Sequence, residues 1–481
     1  MAPSIVRQTD PNSLSRIGPL HRQVYDRVQQ TIREGHLKAG DRLPSTRALA
    51  AELGVSRNTV MAAFEQLIAE GYLEGQAGSG TYVAQGFGDM RSTRKVATGG
   101  PGLSKQGAAI LSSGKTRIVF DDAPRAFEPG IPAVDQALLR LWWRLMHKSW
   151  KHARPSLGYQ GSLGYMPLRK AISVYLAVAR GVRCEPEQVV ITSGAQQGLD
   201  LAARLLSDPG DSVWMEDPGY LGAKAALSAA GTRLVPVPVD REGLVVAEGR
   251  LRMPTARLAY VTPSHQFPVG ATMSLARRLD LLAWAREADA WILEDDYDSE
   301  YRYASRPLPA LQGLDDSGRV VYIGTFSKVM FPGMRIGYVV VPPNVTDAFA
   351  AARAVGDRQS PWLEQAALTE FLSEGHLGRH VRRMRSDYQE RAETLVESVQ
   401  KKLAGRLDVR MPDAGLHLTG WLRNGESDRA ISRTAYSAGV SAMALSRNAI
   451  LPCNPGLVLG YAGYPLADIR AAVDRLAAAI G

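Results

Sequence analysis

Apolar residues Leu20, Val24, Val28 and Ile32 recur one helical turn apart, which predicts an amphipathic helix early in the chain. Pro44-Ser45-Thr46 gives the next helix start, ahead of Leu49 and Leu53, and Gly54 gives its stop. Ser56 is a further N-cap. Behind it Val60, Phe64, Leu67 and Ile68 are expected to face inward, leaving Arg57, Asn58 and Thr59 on an exposed first turn. Gly71 to Val83 then reads as a hairpin with Gly78-Ser79-Gly80 at its tip. Short helices followed at once by a hairpin predict a winged helix-turn-helix over residues 15–85.

Farther on the period changes. The runs "VVITSG", "SVWMED", "RLVPV", "LAYVTP", "WILEDD", "VVYIGTF" and "IGYVVV" alternate with helical stretches between residues 189 and 341. Such alternation predicts an α/β domain, residues 116–481, with a mostly parallel seven-stranded sheet covered on both faces and ligands at the carboxyl ends of its strands. Between the two patterns, residues 86–115 are rich in Gly, Ser, Lys and Arg and lack sustained periodicity, so a flexible linker is expected there. A DNA-contacting arm is the other reading of its basic residues.

Composition narrows the class. The 481 residues, 45% of them hydrophobic, suffice for a large core, and no run of eighteen apolar residues occurs. Met1 to Arg7 lacks the pattern of a signal peptide, so a cytoplasmic, soluble protein is expected. Cys184 and Cys453 lie outside any CxxC spacing, so neither a disulfide framework nor a cysteine-based metal site is expected. The net charge of +9 suits an anionic partner. Asp26, Glu34, Asp41, Glu52, Glu65 and Glu70 nearly balance the bases of the amino-terminal pattern, so one head should bind DNA weakly and a dimer is favoured.

Candidate chemistry falls in two places. Ser45, Thr46 and Arg47, and again Ser56, Arg57, Asn58 and Thr59, put hydroxyls and a guanidinium at helix starts, where phosphates and base edges are contacted, with Gly80 at the wing. In "GTFSKVMFPGMRIGY", Lys328 suits a Schiff-base amine, while Thr325, Ser327 and Arg335 suit a phosphate. These parts fit pyridoxal 5′-phosphate (PLP), whose pyridine nitrogen needs a carboxylate partner, Asp295 or Asp296. Tyr297 could reach the ring oxygen and Tyr220 could cover the ring. The helix start at Gly194, Ala195 and Gln196 offers backbone amides to the phosphate.

Residues 15–85, with "GDRLPSTRALAAELGVSRNTV" and "GSGTYV", resemble the winged helix-turn-helix of the GntR superfamily. From about residue 116, "EDPGY", "TPSHQFPVG", "EDDYDSEYRY" and "GTFSKVMFPGMRIGY" resemble the fold-type-I aminotransferases, and the whole chain resembles the MocR/GabR family of bacterial regulators. The resemblance implies a smaller carboxyl-terminal α+β subdomain and a head-to-tail homodimer. It also implies that Lys328 forms the internal aldimine, Asp295 pairs with the pyridine nitrogen, Tyr297 meets the phenolic oxygen, Tyr220 stacks and Arg335 holds the phosphate. Two departures stand out. Val458 falls where such aminotransferases carry the arginine that binds a substrate carboxylate, and Phe267 falls where they carry an asparagine. Arg447 and His265 are the candidate replacements, as effector-binding residues. The reading is a PLP-dependent transcription regulator that senses PLP, or PLP joined to an amine or amino acid as an external aldimine, with turnover not expected. A working aminotransferase tethered to DNA is the alternative.

Overall fold

A computed structural model describes residues 18–76, 78–85, 102–113, 125–151, 158–303, 309–423 and 425–480. The chain forms two units, Met1–Gly102 and Leu103–Gly481. Among the described residues, no helix is long and apolar enough to cross a membrane.

The first unit contains helices α1 (Leu20–Arg33), α2 (Thr46–Leu53) and α3 (Arg57–Ala69), then a hairpin of β1 (Leu73–Gln76) and β2 (Gly80–Val83). Ser45 Oγ accepts from Ala48 N at 3.2 Å and Ser56 Oγ from Thr59 N at 3.1 Å, so both predicted hydroxyl caps are made. Val24, Val28, Leu49, Val60, Phe64 and Leu67 form the core. Leu20 and Ile68 do not join it: they are 47% and 41% exposed, because the stripe of α1 runs through Tyr25 and that of α3 through Ala63. Residues 40–43 run beside β2, with Leu43 N donating to Thr81 O and Gly40 N to Val83 O, both at 2.9 Å. The wing thereby gains a third, irregular strand.

The second unit begins with α4 (Lys105–Ser113), followed by α5 (Gln136–Lys151), α6 (Met166–Arg180), β3 (Val189–Thr192), α7 (Ala195–Leu206), β4 (Ser212–Asp217), α8 (Leu221–Ala229), β5 (Arg233–Asp240) and β6 (Gly243–Leu244). Strands β7 (Leu258–Val261), β8 (Trp291–Asp296), β9 (Val320–Thr325) and β10 (Gly337–Val340) complete a sheet of order β3-β10-β9-β8-β7-β4-β5-β6. All seven predicted runs are strands; the eighth strand is the two-residue edge β6, too short to show a period. The run β9-β8-β7-β4-β5 is parallel, while β10 is antiparallel to β9 and β3, and β6 to β5. Alternate side chains serve opposite faces: Val190, Ile323 and Val339 meet α7 and α8, whereas Ile191, Tyr322 and Val340 meet α6 and the long helix His376–Lys402. A smaller four-stranded sheet, β11 (Leu407–Asp408), β12 (His417–Leu422), β13 (Met443–Ala444) and β14 (Gly456–Gly460), lies in the carboxyl-terminal part, in the order β11-β12-β14-β13.

The expectation of a flexible linker over 86–115 needs correction at its far end, where α4 is a helix that packs on α8. Ser104 caps it, accepting from Gly107 N at 3.0 Å, and the Ala108-Ala109-Ile110-Leu111 run favours helix but is too short for its periodicity to register. Residues 86–101 and 114–115 of that expectation lie outside the described residues.

Candidate functional site

Strands β3, β4, β8 and β9 all end on the same edge of the large sheet, and the predicted cofactor residues lie on or just beyond those ends, except Arg335, which stands on that edge two residues before β10. Three residues past β9, the Lys328 amine is partly buried and donates to Gly130 O at 2.7 Å. Burial lowers its proton affinity, and the charges of Asp298 and Asp295 oppose that drop. Thr325 and Ser327 are bonded to each other, Oγ to Oγ, at 3.0 Å.

Asp295 and Asp296 are adjacent on β8, so their side chains leave opposite faces of the sheet. Asp296 Oδ2 accepts from Arg180 Nε at 2.8 Å and Tyr322 Oη at 2.6 Å; the Arg180 Nη2 then reaches Ser264 Oγ at 2.5 Å. Asp295 Oδ2 accepts only from Tyr260 Oη, at 2.8 Å, and its buried Oδ1 has no partner among the described residues. Burial pushes the Asp295 carboxyl up to about 7, with the Tyr260 bond opposing. A buried carboxylate with one oxygen unused fits a protonated ring nitrogen.

The phosphate end is equally specific in shape. Gly194 caps α7 at φ +89, a conformation that favours glycine, and a Cβ there would lie 3.1 to 3.3 Å from the Arg335 guanidinium, so glycine also lets that guanidinium come close. Arg335 is itself left-handed at φ 52, is exposed, and donates to Ser193 O at 2.6 Å. No side chain caps α7, which leaves the amides of Ala195 and Gln196 for an anion. Tyr220 Oη donates to Gln196 Oε1 at 3.4 Å, and its ring meets Phe267 edge-on at 5.8 Å. These residues fit PLP: an unused carboxylate oxygen, an amine and an anion cradle stand on one sheet edge.

Of the two effector candidates, His265 is 2% exposed, with Nδ1 3.0 Å from Asp298 Oδ2 and 3.1 Å from Tyr297 Oη. Arg447 is exposed on the turn Leu445–Asn448, whose Asn448 carbonyl accepts from Gly219 N at 2.8 Å beside Tyr220. Val458 is fully buried in β14, paired with Thr419 of β12. Gly130 and Asp298 were missed by sequence reasoning. Nothing local marks Gly130, whereas Asp298 stands inside the quoted "EDDYDSEY".

In the first unit Arg47, Arg57 and Asn58 are exposed on the predicted first turns, and Arg57 Nε points to Thr46 Oγ1 at 3.5 Å, tying the two helix starts together. Gly80 has φ +127, and a Cβ there would lie 3.0 Å from Arg42 Nε. Arg42, also missed, thus lies across the wing; its signal is a base two residues ahead of Pro44, readable only once residues 40–43 pair with β2.

The two units together define a winged helix-turn-helix reader joined to an aminotransferase-like, PLP-binding domain. Residues 20–83 match the bacterial regulatory proteins of the gntR family, and residues 132–476 match aminotransferase class I and II. The chain is 43% identical over 465 residues to the probable rhizopine catabolism regulatory protein MocR of Rhizobium meliloti, spanning 96% of this chain and 94% of that one. It is 31% identical to the HTH-type pyridoxine biosynthesis transcriptional regulator PdxR of Corynebacterium glutamicum, over 95% of each. Among solved structures it is similar to LysN, the alpha-aminoadipate aminotransferase of Thermus thermophilus complexed with N-(5′-phosphopyridoxyl)-L-leucine. That likeness has a TM-score of 0.71 and 28% identity, over 79% of this chain and 97% of that one. The chain belongs to the MocR-type family of GntR regulators; it binds DNA through its reader, and its cofactor is PLP.

Proposed function

We propose that the aminotransferase-like domain of this transcription regulator works as a sensor, in which PLP together with an amine or amino acid changes operator binding, and not as an efficient aminotransferase. When bound, PLP supplies an aldehyde for amines and an electron-withdrawing ring. Lys328 would hold it covalently, Asp295 would meet its ring nitrogen, Tyr297 its ring oxygen and Tyr220 its face. The amides of Gly194, Ala195 and Gln196, with Thr325, Ser327 and Arg335, receive the phosphate. Asp295 is preferred to Asp296 because Asp296 is already held by Arg180 and Tyr322. Ser45, Thr46, Arg47, Ser56, Arg57, Asn58, Thr59 and Gly80 meet the operator, the two heads of a head-to-tail homodimer reading two half-sites in the cytoplasm.

One observation carries the sensing reading: the cofactor residues are retained, while Val458, where an aminotransferase would anchor the substrate's carboxylate, is a core residue. Without that anchor a substrate's carboxylate would not be fixed relative to Lys328, so proton transfer by the lysine would be poorly aligned, a loss of roughly 10²-fold or more in rate. Arg447 and His265 contribute to effector recognition beside Tyr220 and Tyr297. The test titrates amines and amino acids against the PLP-loaded protein, following the cofactor spectrum and operator affinity together. A spectral change coupled to altered operator affinity supports sensing. Rapid multiple turnover with a keto-acid acceptor, and operator affinity indifferent to every amine, makes the protein an enzyme first.

A further inference from the structure

Behind the cofactor contact Tyr297 lies a buried pair, His265 and Asp298, that the cofactor contacts above do not use. His265 Nδ1 lies 3.0 and 3.2 Å from the two oxygens of Asp298 and 3.1 Å from Tyr297 Oη. Its Nε2 is buried and has no partner among the described residues. One ring nitrogen therefore faces a carboxylate and a phenol together. An ionised carboxylate only accepts, so Nδ1 must carry a hydrogen; a bare lone pair there would face two more lone pairs. With Nδ1–H donating, the Tyr297 hydroxyl cannot give its own hydrogen to Nδ1 and must point it elsewhere. Gly415 lets this packing close: a Cβ there would lie 2.0 Å from His265 Cε1 and 2.8 Å from Asp298 Oδ2.

We infer that His265 is a positioning residue, held by Asp298 in the Nδ1–H form, whose task is to aim the Tyr297 hydroxyl hydrogen at the ring oxygen of PLP. The inference rests on the reading that Tyr297 meets that oxygen. Asp298 thus acts two steps from the cofactor through a fixed imidazole, and Phe267, whose ring lies 6.2 Å edge-on to Tyr297, leaves Tyr297 as the hydroxyl donor on that side.

The test has two arms on the full chain. In the first, nitrogen-15 NMR of histidine-labelled, PLP-free protein reads which ring nitrogen of His265 carries hydrogen, assigned against His265→Asn. Hydrogen on Nδ1 is expected; a bare Nδ1 overturns the inference. In the second, PLP affinity and the position of its visible band are measured for His265→Phe, Tyr297→Phe, the double variant and His265→Asn, with thermal melting as a folding control. Tyr297→Phe is expected to weaken PLP binding by about 10-fold to 100-fold, the loss of one hydrogen bond to a charged oxygen. His265→Phe should produce much of that loss and the same band shift, yet add nothing in the Tyr297→Phe background, and His265→Asn, which keeps an N–H donor, should restore part of it. An equal effect of His265→Phe in both backgrounds means that the histidine does not act through Tyr297, and overturns the inference. No effect of Tyr297→Phe on affinity or spectrum overturns it together with the underlying reading of Tyr297. The NMR arm separates these failures, because hydrogen on Nδ1 with a silent Tyr297→Phe leaves the histidine held by Asp298 but locates the error in the cofactor contact.

Discussion

Replacing Asp295 by Asn in the PLP-free protein should change the pH dependence of stability of the large unit in a calculable way. Burial pushes the Asp295 carboxyl from 3.8 to about 7, so the folded state keeps a proton that the unfolded chain has lost. A carboxyl whose folded value is raised costs stability as pH rises from its unfolded value to its folded one, because the unfolded state then binds fewer protons. At about pH 5 the cost is on the order of 1 to 2 kcal/mol; by about pH 8 it is on the order of 4 kcal/mol. Asn cannot titrate, so the stability of the variant relative to wild type should rise by roughly 2 to 3 kcal/mol between these pH values. Glu294 and Glu300 are also pushed up to about 7 by burial, but Asp295 is not among the charges acting on them, so they cancel in the difference; Glu216, also at about 7 and raised in part by the Asp295 charge, is relieved in the variant and adds to the difference with the same sign. Calorimetric melting of wild type and variant at the two pH values, without PLP and then with it, reads the effect. PLP should shrink the difference, since a ring cation beside Asp295 restores the charged form. An equal difference at both pH values, or one of opposite sign, refutes the argument that desolvation of this carboxylate outweighs its bond to Tyr260.

Further outcomes are expected. Lys328→Ala should abolish the borohydride-stable PLP adduct while the fold persists, and peptide mapping of an adduct to another lysine would contradict the assignment. Arg335→Ala should weaken PLP by about 1.5–3 kcal/mol but leave the affinity for phosphate-free pyridoxal nearly unchanged, as titration of both compounds would show. Arg57→Ala should cost about 1–3 kcal/mol of operator affinity, with altered base preference if it reads a base edge or a uniform loss and smaller salt slope if it holds a phosphate. Binding assays across salt and operator variants distinguish these outcomes.

Much of the site could be read because each of its parts is local. A strand end followed by a turn fixes Lys328 relative to Thr325 and Ser327, and strand alternation puts Asp295 and Asp296 on opposite faces without saying which of them faces the cofactor. What could not be read depends on long-range closure. Asp296 owes its place to Arg180, 116 residues away, and Lys328 donates to Gly130 across 198. The exposure of Ile68 likewise follows from where α1 lies on α3, which the period of α3 alone does not specify. His265 could be singled out as a departure, but its partner Asp298 needed the fold, since a lone histidine carries no direction in sequence.

The pairing of residues 40–43 with β2 bears on how the operator can be found. A two-stranded ribbon alone is marginal in water, but here a third segment flanks it, and Leu43, Leu73 and Val83 sit in the same core as the helices. The reader therefore has its own interior and its own closed wing, the properties that let a fragment survive excision. Released from the sensor, an immobilised fragment of this kind could be panned against random duplexes, yielding the half-site alone, without dimer spacing or effector.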